Sequence, residues 1–181
     1  ILAFDNGDAA AAEEHARDLL AIAETSDDQI GIGAGLTLLS QIAGAEPDGH
    51  EAAAALARRA VEVLEPLAQD EWTASAWARL GIECQRLGRL EEARDHLQHS
   101  LALRRRKRCD GCAAYSLVLL GAVFHDLGQP RAAADAFREC LTLAIKHGNQ
   151  PLTFRALLGL ADVAWRFAAS EESARCALRF F

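Results

Sequence analysis

Residues 77–97 read WARLGIECQRLGRLEEARDHL, and their apolar framework returns forty positions later. Leu80-Gly81 recurs as Leu120-Gly121, Gly88 as Gly128, Ala93 as Ala133, and the bulky Leu97 as Phe137. One helix pair fits each interval, so the stretch is one unit of a helical array. Gly81 and Gly121 fall in mid-helix, where glycine costs about 1 kcal/mol relative to alanine. Close packing is the expected compensation, with Leu80, Gly81, Ala93, Leu120, Gly121, Ala133 and Phe137 buried where helices of a pair meet.

Outward from this unit the punctuation is regular. Before it, Thr25-Ser26-Asp27-Asp28 offers oxygen-bearing side chains to cap a helix running to about Gly44. Glycines 31, 33 and 35 on that helix lack the Gly-Lys-Ser/Thr ending and the preceding strand of a phosphate loop, so they read as close helix packing. Glu46-Pro47-Asp48-Gly49 is a turn, and Glu51 to Leu64 is an alanine-rich partner helix ended by Pro66. Asp70 is placed to cap the helix from Glu71 to Leu87, Gly88 to take the left-handed position after it, and Leu90 to about Lys107 to form its partner. Two further pairs follow, from about Cys112 to Leu127 with Pro130 to His147, and from Pro151 to Phe167 with Glu171 onward. Pro130 and Pro151 sit at first-turn positions, where a missing N–H costs nothing. The division is therefore a partial repeat over 1–24 and helix pairs over 27–68, 71–108, 111–148 and 151–181, in a single domain over 1–181 that reads as a fragment of a longer chain.

Composition agrees. Alanine supplies 38 of the 181 residues, against 5 Val, 7 Ile and 5 Thr, a balance that favours helix over strand. Net charge is −7, but unevenly spread: residues 1–70 hold 14 acids and 3 bases, residues 71–181 hold 12 and 16. A nucleic-acid module normally carries a domain-wide basic excess, so direct nucleic-acid binding is not the expected role. No apolar run approaches the ~18 residues of a membrane span. Five cysteines without a secretory signal do not look like a disulfide framework, and a cytoplasmic setting fits them. The apolar ends, Ile1-Leu2-Ala3-Phe4 and Phe180-Phe181, make a homodimer plausible.

Trp77, Leu80, Gly81, Gly88, Ala93 and Leu97 resemble the tetratricopeptide signature of Trp, Leu-Gly, Gly, Ala and a bulky apolar residue, with Cys84 standing where that signature prefers Tyr. The resemblance implies an all-α, right-handed superhelix of antiparallel helix pairs, a solenoid with a period of about 40 residues. SLALRRRKRCDG, RALLGLADVAWRF and EESARCALRF further resemble the helical repeat region of large bacterial LuxR-type, MalT-like transcriptional regulators, over most of residues 30–181. In that family the repeats lie between an NTP-binding switch domain and a DNA-binding helix-turn-helix, and act as sensor and protein-contact region. Similar repeats also accompany cyclase and kinase domains, which makes a scaffold beside a signalling enzyme the alternative.

Groups that could carry chemistry are few. Cys109-x-x-Cys112 has the spacing of a metal corner or a redox pair, but four zinc ligands or a βαβ setting would be needed, and Cys84, Cys140 and Cys176 read as small core residues. Arg104 to Lys107 and Arg108 wrap more than one helical turn, so they read first as a solvated helix end favoured by the dipole, and next as a contact for an acidic partner. His96 and His99 share a helix without an evident third ligand. His125 with Asp126 would be the acid/base pair of a hydrolytic enzyme, but no nucleophile arrangement accompanies them, so neither catalysis nor a cofactor is expected.

What the resemblance implies instead is a binding groove. Its concave-side register selects Gln85 and Arg86 on one helix, Tyr115, His125 and Asp126 forty residues on, and Arg155, Asp162, Trp165 and Arg166 in the last pair. The expected occupant is a protein or peptide segment, acidic or phosphorylated where it meets the arginines, or a small effector. Trp165 could equally pack beneath the last helix.

Overall fold

The computed structural model describes the backbone of residues 8–177 and the side chains of residues 11–166. Eight α-helices and a short 3-10 turn, with no strand, make up these residues: α1 (Asp8–Thr25), α2 (Gln29–Ala43), α3 (His50–Leu64), α4 (Asp70–Arg86), α5 (Leu90–Arg106), α6 (Asp110–Asp126), α7 (Pro130–Lys146) and α8 (Gln150–Ala177). They fall into two compact units that divide between Lys107 and Arg108. The start of the partial repeat, the two apolar ends and the side chain of Cys176 lie outside the described residues.

In the first unit α2 packs on α3 and α4 on α5, with α1 against α2 and α3 against α4. Asp28 caps α2 by accepting the Ile30 N–H at 3.1 Å. Glycines on α2 do pack closely: a Cβ on Gly33 would stand 2.3 Å from Leu64 Cγ. On α4 the same device recurs, since a Cβ on Gly81 would meet Leu97 Cγ at 2.7 Å and the Ala93 carbonyl at 3.2 Å. Ser40 occupies the corresponding place on α2, and its hydroxyl donates to the Ala53 carbonyl at 2.7 Å. Glycine at one site and a bonded hydroxyl at the other are two ways to bring a helix against its partner's backbone. Asp70 is not the cap expected of it. Gln69 holds the N-cap position, and the buried Asp70 carboxylate accepts from the Arg106 guanidinium, through Nε at 2.9 Å and through Nη2. Arg106 thus ties the end of α5 to the start of α4.

In the second unit α7 packs between α6 and α8, and α6 also touches α8. Phe137 on α7 is its keystone: Cβ atoms placed on Gly121 of α6 or Gly159 of α8 would stand 2.5 and 2.4 Å from its ring. Asp110 and Lys146 repeat the tie of Asp70 and Arg106 forty residues later, with Lys146 Nζ donating to Asp110 at 2.7 Å and His147 Nε2 3.4 Å away. All seven residues expected at the helix contacts, from Leu80 to Phe137, are buried. Gly88, Gly128 and Gly148 end α4, α6 and α7 at φ of 75°, 69° and 65°, the left-handed geometry expected of Gly88.

One boundary differs. The sequence predicts a helix pair over residues 151–181, but the described part is one helix through Ala177. Between Gly159 and Phe181 there is neither glycine nor proline, so Ala168-Ala169-Ser170 supplies no break and alanine sustains the helix.

Candidate functional site

The groove residues assigned from sequence divide between the two units. Tyr115, His125 and Asp126 lie on α6, and Arg155, Asp162, Trp165 and Arg166 on α8, all in the second unit. His125, near the end of α6, has its Nδ1 3.6 Å from Asp126 Oδ1. Its enclosed Nε2 lies 3.0 Å from Asp162 Oδ2, an ion-pair approach that lacks the alignment of a hydrogen bond. Asp162 in turn has Oδ1 3.9 Å from Arg166 Nε. The structure therefore brings His125, Asp126, Asp162 and Arg166 together as one polar chain from α6 to α8. Tyr115 lies ten residues before His125, about 15 Å along the same helix. His125 thus has one carboxylate near each ring nitrogen, that of Asp126 from its own helix and that of Asp162 from α8.

Beside this chain α8 is apolar and open. Phe154, Leu158 and Trp165 are 62%, 53% and 76% exposed. At 100° per residue they fall within about 40° of one another around the helix, with Arg155, Asp162 and Arg166 along one edge. Trp165 is thus at the surface and does not pack beneath another helix. On the opposite face of α8, Leu160, Val163 and Ala164 meet Pro130, Arg131, Ala134, Asp135 and Arg138 of α7 around a cleft of about 390 Å³.

Gln85 and Arg86 belong to the first unit. Arg86 is already engaged there: its guanidinium donates to the Gly44 carbonyl and lies 3.8 Å from Glu83 Oε2. Glu83 is fully buried, with His50 Nδ1 at 3.1 Å and Arg79 Nη1 at 3.4 Å. Sequence reading missed this cluster because its members lie on three segments up to 42 residues apart, and only the close fit of Gly44 against Glu83 hints at it, a Cβ there falling 2.6 Å from Oε1.

A second missed group surrounds Cys84. Its Sγ, a Glu92 oxygen and a His96 ring nitrogen lie within 4.8 Å of one another. Of the two histidines on α5 only His96 belongs to this group, with Cys84 and Glu92 as its companions. The Trp77 ring lies 5.0 Å from the centroids of both imidazoles, stacked on His99 and tilted against His96. Burial, reinforced by Glu92 and Glu51 and opposed by Arg58 and Arg89, raises the Cys84 thiol above its ordinary pKa. Burial also lowers His96, with Arg58 and His99 in the same direction and Glu92 and Asp95 opposing. Cys140, by contrast, is a core thiol pushed up to about 11 by burial, with Arg155 opposing. Cys109 and Cys112, whose spacing suggested a metal corner or a redox pair, form a disulfide at the start of α6. Cys109 stands at the N-cap and Cys112 in the first turn, which puts their Cα atoms 5.2 Å apart, within bridging reach.

Residues 72–146 match the family model of the tetratricopeptide repeat. The fold is a tetratricopeptide-like helical repeat. Among solved structures, the nearly identical TPR-like repeats of a kinesin-light-chain candidate from Podosopora anserina share 17% identity at a TM-score of 0.71, covering 94% of this chain and 84% of that one. A variant of those repeats gives 16% and 0.73, covering 96% and 85%. BtubC (BKLC) from P. vanneervenii gives 18% and 0.58, covering 96% and 87%. No curated protein matches the chain in sequence. These likenesses establish the fold, and no described helix is long and apolar enough to cross a membrane.

Proposed function

We propose that the chain is a protein-interaction module that takes a peptide or partner segment along α8. One observation supports this above the rest: Phe154, Leu158 and Trp165 stand exposed in line, with Arg155 and Arg166 on one edge. Large aromatics in such a position supply contact area at small entropic cost, and guanidinium groups beside them select carboxylate or phosphate. The occupant is accordingly a segment with two apolar anchors and an acidic or phosphorylated flank. Asp162 and Asp126 supply the polar edge of this surface, with the largely enclosed His125 between them and Tyr115 as a further contact along α6.

Selection of a displayed peptide library on the purified chain tests the reading. The expected consensus couples apolar anchors to Asp or Glu, and Arg155→Ala with Arg166→Ala weakens the selected peptides by about tenfold or more. Unchanged affinity in that double variant overturns it.

The resemblance to MalT-like regulators supports a finer assignment, as the effector-sensing and protein-contact region of a multidomain bacterial transcriptional regulator in the cytoplasm. Binding there acts through a ligand's differential affinity for two arrangements of the parent protein. The flanking coding sequence is the check: an NTP-binding switch domain and a helix-turn-helix are expected, whereas a kinase or cyclase domain would replace this assignment with a signalling scaffold.

A further inference from the structure

Cys84 lies on the last turns of α4, and Glu92 and His96 lie one helical turn apart at the start of α5. The Leu87-Gly88-Arg89 turn joins the two helices, and its Arg89 N–H donates to the Cys84 carbonyl at 2.8 Å, so the cap that reverses the chain also fixes the backbone of the cysteine. Sulfur, carboxylate oxygen and imidazole nitrogen from these three residues converge within 4.8 Å. We propose that Cys84, Glu92 and His96 form a binding site for a divalent transition metal of the zinc class.

Geometry and donor chemistry carry the proposal. Around a tetrahedral zinc ion, ligand atoms stand about 3.4–3.6 Å apart, so the present spacing closes on an ion with side-chain shifts of about 1 Å. Cys84 is buried, while Glu92 is exposed and His96 half-buried, so the site opens to solvent on its α5 side. Trp77 packs at a tilt against the His96 ring and limits its orientation, as outer groups do for metal-bound imidazoles. A thiolate with imidazole selects zinc, cobalt or copper over the hard ions calcium and magnesium. Three protein ligands leave the fourth position to water. On binding, the Cys84 S–H bond breaks, its proton passes to solvent and the sulfur lone pair bonds the ion. Arg58 and Arg89 oppose the added charge, and Glu51, whose Oε1 accepts from Arg89 at 2.6 Å, offsets part of their effect.

Cobalt(II) titration of the purified chain, reduced with a phosphine and carrying Cys109→Ser, Cys112→Ser and Cys176→Ser to remove competing thiols, is the test. One equivalent should produce a thiolate-to-cobalt charge-transfer band and the intense visible bands of four-coordinate cobalt, both displaced by zinc. Cys84→Ala should abolish the charge-transfer band, while Glu92→Gln and His96→Gln should each weaken binding by about tenfold or more. The two α5 variants lie on the solvent side, so they remain informative if Cys84→Ala proves unstable. The proposal is overturned if no charge-transfer band forms with all three ligands present, if the band survives Cys84→Ala, or if both α5 variants bind cobalt as tightly as the parent.

Discussion

At the scale of single residues the helix contacts are set by what fits beneath one bulky side chain. Gly121 and Gly159 approach Phe137 from two helices, and Gly81 approaches Leu97 from one. A methyl group at Gly121 would gain about 1 kcal/mol of helix propensity, but it would have to displace an aromatic ring held on its other side by α8. Overpacking of that kind costs about 1–3 kcal/mol, so Gly121→Ala is expected to destabilise despite the better propensity. Gly111 is the control. It lies in the first turn of α6 with nothing within 4 Å of its would-be Cβ, so Gly111→Ala should stabilise by about 0.4–1 kcal/mol. Urea denaturation of both variants measures the pair of signs, and a stabilised Gly121→Ala would refute the packing account. These contacts were legible in the sequence because the motif that carries them, Leu-Gly followed by Ala and a bulky residue, is local and repeats. The Cys84 cluster was not, since its register becomes visible only when α4 and α5 are laid side by side.

Between elements, one tie recurs at the same interval as the packing. Asp70 with Arg106 closes the α4–α5 pair, and Asp110 with Lys146 and His147 closes α6 with α7. The hydrogen bond from Arg106 holds the Asp70 carboxyl below its ordinary range, with burial opposing. Hydrogen bonds from Lys146 and His147 do the same for Asp110. A carboxyl whose folded pKa is depressed binds fewer protons in the folded than in the unfolded state. Its contribution is therefore complete above the unfolded value of about 4 and disappears as pH falls through the folded value below it. Asp70→Asn and Asp110→Asn should each be less stable than the parent at pH 7, with the gap closing below about pH 4. Thermal unfolding across that range is the measurement, and a gap independent of pH would show that the charge is not responsible. Nothing local announces these ties. The partners are 36 residues apart, and the sequence offered a simpler role for each, a cap for Asp70 and a solvated helix end for Arg106. The single helix of α8 misled for the opposite reason: Ser170-Glu171-Glu172 looks like a helix start, yet without a breaker before it the preceding helix simply continues.

For the molecule as a whole, the charge is divided along the chain, with the acids concentrated in residues 1–70 and the excess of bases after them. The exposed stripe of α8 lies in the basic part, where Arg155 and Arg166 flank Trp165, Leu158 and Phe154. An acidic partner should therefore meet two kinds of contact that respond differently to salt. Exposed charges separated by more than a Debye length are screened, and that length falls from about 10 Å at 0.1 M to about 3 Å at 1 M. Apolar contacts do not weaken in this way. Trp165→Ala should weaken a selected acidic peptide by about 2 kcal/mol at either salt concentration, because a large aromatic anchor carries a disproportionate share of interface energy. Arg155→Ala with Arg166→Ala should weaken it at low salt and much less at high salt. Anisotropy titrations of one labelled peptide against parent and variants at both ionic strengths separate the two contributions. A Trp165→Ala loss that vanishes at high salt, or an arginine loss that persists there undiminished, would mean that the partner does not lie along this stripe with its acidic flank at the arginines.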